Sequence, residues 1–185
     1  MYKYTHAWFY ESYLYYNIKD YFLDVNAPLN ILEIGCYEGL SSCYFSDELL
    51  NNPDSTLDCV DPWNLEDSTT PVKNNTYDIF INNIAQSKNK EKIKVYKKYS
   101  NEFFSQIENN KLYDLIYIDG SHIPEDVKFD MDNSFKVLKK GGMMWMDDYM
   151  SNEEVKTTID EFVKSHNKEI KVFVKKYQLA LKKLI

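Results

Sequence analysis

The sequence contains no arginine; all 22 of its strongly basic residues are lysine, and the net charge is −7. The forked guanidinium is the usual reader of phosphate and guanine, and an acidic surface repels a polyanion. Nucleic acid is therefore not expected as a partner. Cysteine is scarce, with only Cys36, Cys43 and Cys59. The odd number, the lack of Cys-x-x-Cys and the absence of a metal-type spacing point to reduced thiols and a cytoplasmic location. No apolar run approaches the ~20 residues of a membrane-crossing helix, so no membrane association is expected. The first ten residues are aromatic but interrupted by polar groups, unlike the apolar heart of a secretion signal.

What is present is an ordinary globular composition. The 185 residues are 44% apolar, enough for one domain with its own core. Aromatics reach 16%, chiefly through sixteen tyrosines. Trp8, Tyr13, Leu14, Tyr16, Ile18, Tyr21 and Phe22 recur at helical spacings and predict one or two helices over 7–24, broken by Asn26-Ala-Pro28. Strands are expected at 29–34, 55–60, 92–96, 113–118, 143–146, 170–174 and 178–184. Helices are expected at 40–50, 77–85, 101–109 (capped by Ser100), 124–138 and 151–166. Pro124 suits a first helical turn, Gly141-Gly142 suit a helix end, and Ser151 with Glu154 form a capping-box pattern. Residues 62–75, with Pro62 and Pro71, form a long loop suited to binding or lid duty.

The alternation predicts an α/β fold: a Rossmann-like, doubly wound, mostly parallel seven-stranded sheet, with an antiparallel C-terminal strand pair and an N-terminal helical extension. Residues 1–27 are assigned to the extension and 28–185 to the main domain. The aromatic extension suits a roof over the pocket, packing on the sheet, or a homo-oligomer contact.

Three acidic clusters fall where strands end: Leu-Glu-Ile-Gly-Cys-Tyr-Glu-Gly at 32–39, Ile-Asp-Gly-Ser-His at 118–122 and Met-Asp-Asp-Tyr at 146–149. Open α/β sheets bind ligands at the carboxyl ends of their strands. Gly35 allows a sharp turn, and Gly39 allows a ligand close to the backbone near a helix start. Tyr37 occupies the second glycine position of the dinucleotide fingerprint, so a pyrophosphate against this loop, and with it a nicotinamide dehydrogenase, is disfavoured. Glu33 suits an amino group, and Asp61, ending the second strand, can accept ribose hydroxyls. Asp119, Asp147 and Asp148 end neighbouring strands and could converge on a hard cation such as Mg²⁺. His122 could act as a general base, orient Asp119 or cap a helix. Trp63 and Tyr149 flank the expected mouth, as walls for a sugar or aromatic ring or as core packing, whereas His6 and His166 have no evident role.

Glu33-x-Gly35-x-x-x-Gly39 followed by Asp61 resembles the class I S-adenosylmethionine-dependent methyltransferases, over roughly residues 28–185. The resemblance implies that Glu33 and Gly35 lie near the methionine amino group, with Tyr37 in the same loop. Gly39 and Ser42 would help hold the carboxylate, Asp61 the ribose, and Ser100 would lie by the adenine, with Asp119 at the cofactor's reactive end. The stretches 113–122 and 138–149 are similar to the small-molecule O-methyltransferases of the macrolide-sugar and catechol types, and to cephalosporin-hydroxylase-like relatives. In those families acids at the positions of Asp119, Asp147 and Asp148 hold a divalent metal, usually magnesium. The implied function is metal-assisted O-methylation of a small hydroxylated substrate, a sugar or sugar-linked metabolite being favoured, with Asp119 and His122 as catalytic residues. The alternatives are a metal-dependent hydroxylase on the same fold and a non-catalytic binding module.

Overall fold

The computed structural model describes residues 1–21, 26–64, 75–108 and 110–185. The far end of the expected N-terminal helix, at 22–24, and positions 65–74 of the expected loop lie outside the described residues. The strands are β1 (Asn30–Ile34), β2 (Thr56–Asp61), β3 (Ile93–Lys97), β4 (Tyr113–Ile118), β5 (Leu138–Met146), β6 (Ile170–Lys175) and β7 (Leu179–Lys183). The helices are α1 (Tyr13–Tyr21), α2 (Leu40–Leu49), α3 (Thr76–Ile84), α4 (Ser100–Gln106), α5 (Pro124–Val137) and α6 (Glu153–Ser165), with short 3-10 turns at Trp8–Glu11 and Lys90–Lys92. One seven-stranded sheet results, in the order β3-β2-β1-β4-β5-β7-β6. Strands β1 to β5 are parallel, and β7 runs against both β5 and β6. This is the expected fold class. No described helix is long and apolar enough to cross a membrane.

Strand side chains alternate between the two faces, and the core divides accordingly. Ile31, Leu57, Cys59, Leu115, Tyr117 and Trp145 pack with Phe45 and Leu49 of α2 and Phe80 of α3. Leu32, Ile34, Ile116, Ile118 and Met144 pack with Phe103 of α4, Met131 of α5 and Ile159 of α6. The N-terminal segment joins the first face through Phe9, Leu14 and Ile18. Leu14 and Ile18 are fully buried on one side of α1, and burial of such side chains contributes about 1.5–3 kcal/mol each.

Three local expectations shift. Ser100 is the first residue of α4 rather than its cap; Tyr99 holds the cap position, and its N–H donates to Glu102 at 3.3 Å. Gly141-Gly142 do not end α5, because the chain enters β5 directly after Val137. Leu138 pairs with Tyr113 and Met143 with Leu115, so residues 139–142 bulge outward opposite the single residue Asp114. Gly141 has φ +80°, and a Cβ at Gly142 would stand 2.9 Å from the Lys139 carbonyl oxygen. The glycine pair therefore serves the bulge. Asn152, not Ser151, caps α6: its Oδ1 accepts the Val155 N–H at 2.8 Å.

Removing that cap oxygen exposes an unpaired first-turn donor. Asn152→Ala is expected to lower stability by about 1 kcal/mol. Ser151→Ala should leave it within about 0.5 kcal/mol, as measured by urea unfolding of both variants.

Candidate active site

The sheet's hydrogen-bond ladder continues past the strand ends. Gly35 N–H donates to Val60 O at 2.9 Å, Asp119 N–H to Ile34 O at 2.8 Å, and Asp147 N–H to Ile118 O at 2.9 Å. Gly35, Asp119 and Asp147 are thus set side by side at the carboxyl edge, where strand order reverses between β1 and β4. Gly35 has φ +85°, and a Cβ there would stand 2.0 Å from the Asp119 carbonyl oxygen. Only glycine permits both the turn and the approach.

Asp61 stitches the glycine loop to β2. Its Oδ2 accepts the Cys36 and Tyr37 N–H groups at 2.9 and 3.0 Å, and its Oδ1 accepts the Trp63 N–H at 2.6 Å. Burial raises its pKa, and these three backbone bonds oppose the rise. Trp63 Nε1 in turn donates to Tyr37 O at 2.8 Å.

Beneath this loop lies a cavity of about 810 Å³, within the usual range for small-molecule and cofactor sites. Of the sequence-predicted residues, Gly35, Tyr37, Asp61, Trp63, Ser100 and Asp119 line it. Five acids face it (Asp61, Asp119, Glu125, Asp126 and Asp130), and no lysine or histidine stands among its described lining residues. Asp130 is buried, with one oxygen unpartnered. Burial pushes it up to about 7, opposed by the neighbouring Ser100 hydroxyl.

Glu33, Gly39 and Ser42 are not on the cavity wall. Glu33 is fully buried behind the loop and accepts the hydroxyls of Ser41 and Ser42. Desolvation lifts it to about 7 against those hydrogen bonds. Gly39, at φ +82°, precedes α2, and a Cβ there would meet the Phe80 ring at 2.9 Å. The geometry thus gives these three residues a part in shaping the loop. Cys36 and Cys59 gather around Glu33 as well. Burial raises both thiols, and Cys59 Sγ donates to Glu33 at 3.6 Å, so the groups of this cluster bond to one another.

The three expected metal-type acids do converge. Asp119, Asp147 and Asp148 each bring a carboxylate oxygen within 4.8 Å of the others. Asp119 belongs to both the cavity and this cluster. Desolvation, then the charges of Asp147 and Asp148, push Asp119 well above the carboxylate range. Desolvation and Asp148 lift Asp147 to about 6. Among the described residues His122 alone forms an ion pair with the cluster. Its Nε2 lies 2.7 Å from Asp148 Oδ2, and that bond raises its pKa against the effect of burial. His122 therefore orients Asp148 rather than Asp119.

Two supports of the cluster escaped the sequence. The Tyr117 hydroxyl donates to Asp147 at 2.8 Å and lies 3.1 Å from Asp119 Oδ2. Strand periodicity could have found it, because Tyr117 and Asp119 are two residues apart. Gln178 donates to Asp147 from just before β7, and nothing local in the sequence marks it. Of the two readings for Tyr149, core packing is the one observed: it is buried, its hydroxyl bonded to Asp160 at 3.0 Å. His6, expected to be idle, stacks on Trp8 with ring centroids 4.3 Å apart and reaches the Tyr37 hydroxyl at 3.3 Å.

Comparison with known proteins agrees with this geometry. A family profile described as a methyltransferase domain matches residues 32–149. An O-methyltransferase from Bacillus cereus, solved with S-adenosylhomocysteine, superposes with a TM-score of 0.67 at 16% identity, over 93% of this chain and 82% of that one. A Clostridium thermocellum protein described as a candidate rRNA methylase gives 0.71 at 12% identity, over 92% and 96%. TomG from Streptomyces achromogenes, an O-methyltransferase of tomaymycin synthesis solved with S-adenosylmethionine, gives 0.67 at 12%, over 89% and 78%. At these identities the superpositions establish the shared fold. No curated protein matches by sequence.

The raised pKa of Asp147 has a definite sign for stability. In the folded chain it keeps its proton up to about 6, whereas unfolded it ionises near 3.8. In chelator, its contribution should therefore fall as pH rises from about 4 to 6 and then level off. Asp147→Asn is expected to melt higher than the unaltered chain at pH 7.5, with the advantage vanishing near pH 4, as followed by thermal unfolding.

Proposed function

This chain belongs to the methyltransferase-domain family of class I S-adenosylmethionine-dependent enzymes, and from that premise we propose that it methylates a hydroxyl of a small acceptor, a sugar or sugar-linked metabolite being the favoured class. The observation that carries the proposal is the junction at Asp119, where a cavity walled by acids meets a cluster of three carboxylates.

An acidic wall with no lysine or histidine among its described residues suits a positively charged ligand and repels a pyrophosphate. S-adenosylmethionine supplies such a charge, on a sulfonium that carries a transferable methyl group. Gly35 and Tyr37 would supply the wall for the cofactor. Asp61 would accept the ribose hydroxyls, since its Oδ1 carries a single N–H bond and keeps acceptor capacity. Ser100 would contact the base. Glu33, Gly39 and Ser42 act from behind, holding the loop's shape.

The donor set also fits a divalent cation. Three oxygens converge, two of their carboxyls are raised by burial and then by their acidic neighbours, and only His122 offsets their charge among the described residues. Asp119, Asp147 and Asp148 would hold it, and its charge would lower the pKa of an acceptor hydroxyl. His122 is the proposed proton acceptor, held by Asp148 and made more basic by it. The chain's main contribution is alignment: Asp119 joins the two compartments, so groups held in each are fixed relative to one another. An acidic chain without arginine favours a small acceptor over RNA. Its free, buried cysteines fit a cytoplasmic setting.

The test is release of S-adenosylhomocysteine against a panel of sugars and phenols, with and without chelator, with products weighed. A gain of one methyl by a hydroxylated acceptor, abolished by chelator and by Asp147→Ala, is expected. A gain of oxygen would instead indicate a hydroxylase, cofactor binding without turnover would indicate a binding module, and turnover indifferent to both treatments would remove the cation.

A further inference from the structure

The N-terminal segment is fastened at two places. At its start, the Thr5 N–H and hydroxyl donate to the two oxygens of Glu38, in the glycine loop, at 2.6 and 2.7 Å. Farther along, the Leu14 N–H, one of the first-turn donors that α1 itself cannot satisfy, donates to Gln178 Oε1 at 2.9 Å. Trp145 Nε1 donates to the same oxygen at 3.1 Å. With both lone pairs of Oε1 taken, the nitrogen of this amide is the end that faces Asp147, and it donates to Asp147 Oδ1. Tyr117 donates to that oxygen as well. Gln178 is 1% exposed, so its amide is shut off from solvent.

Gln178 therefore joins a backbone group of the N-terminal helix to a carboxylate of the acidic cluster through one rigid amide. Resting on the cation reading above, we infer that Gln178 is a positioning residue that couples docking of the N-terminal segment to cation binding at Asp119, Asp147 and Asp148. With α1 docked, the amide is locked and Asp147 is held by two donors. With α1 displaced, Oε1 loses a partner, the amide gains freedom to turn, and Asp147 loses its fixed orientation. Binding at one end must favour order at the other, because coupling is reciprocal.

The experiment uses the full chain. Mn²⁺ affinity is measured by electron paramagnetic resonance for the unaltered protein and for Gln178→Met, which keeps length and volume but removes both amide functions. Loss of such an outer partner typically weakens metal binding about 10-fold or more, and that loss is expected here. Hydrogen exchange at the Leu14 amide, followed by NMR with and without Mg²⁺, supplies a readout that general destabilisation would not reproduce. Mg²⁺ should slow exchange in the unaltered protein and leave it unchanged in Gln178→Met. Retained S-adenosylhomocysteine binding would show that the variant is folded; if it is not, the Leu14 response of the unaltered protein decides alone. Equal Mn²⁺ affinities in the folded variant, or a Leu14 amide indifferent to Mg²⁺ in a protein that binds it, would overturn the coupling while leaving the cation reading intact. Failure of the unaltered protein to bind Mn²⁺ would overturn both.

Discussion

The seam between β1 and β4 is the constraint on which the site depends. At Gly35 the chain turns with a left-handed backbone while pressed against the peptide of Asp119. Any side chain would force the two strand ends apart. The hydrogen bonds that extend the ladder from Ile34 to Asp119 and from Ile118 to Asp147 would then lose their register. Asp61 secures the same turn from the other side by accepting two loop amides on one oxygen. Cavity and acidic cluster are two products of a single backbone arrangement.

Charge is distributed in keeping with that arrangement. Lysines are plentiful in the chain, yet among the described residues those that pair do so away from the site, as Lys139 with Asp114 in the β4–β5 bulge, Lys175 with Asp160 on α6, and Lys19 with Glu48. Exposed pairs of this kind add at most about 1 kcal/mol each. The carboxylates at the strand ends have none of these partners, and their repulsion and desolvation are held in place by the surrounding fold. That is the pattern expected where a site is preorganised for a ligand of opposite sign.

The sheet was legible because its strands are short apolar runs and its breaks carry glycine, proline or asparagine. Seven strands emerged with their ends within a residue or so, apart from β5, whose start the glycine pair disguised. Gly141-Gly142 look like a helix stop, and only the pairing of Leu138 with Tyr113 shows that they belong to a bulge. The caps were misplaced for a related reason: Ser100 and Ser151 have the right chemistry, but the backbone enters each helix one residue away. At the site, the acids that end strands could be read from position alone. Glu33 and Ser42 sit in the same motif, yet their side chains point behind the loop, a matter of rotamer and packing. Gln178 could not be read at all, because its partners lie 31 and 164 residues away.

The placement of β7 also dictates an order of assembly. This strand follows β6 in the chain but lies between β6 and β5, bonded to both. It cannot be seated until both neighbours exist to flank it. Gln178 stands at its head, so Asp147 receives its amide support only with this late insertion. The described residues that wall the cavity all precede this strand in the chain, so the brace on Asp147 is the last part of the arrangement to be synthesised.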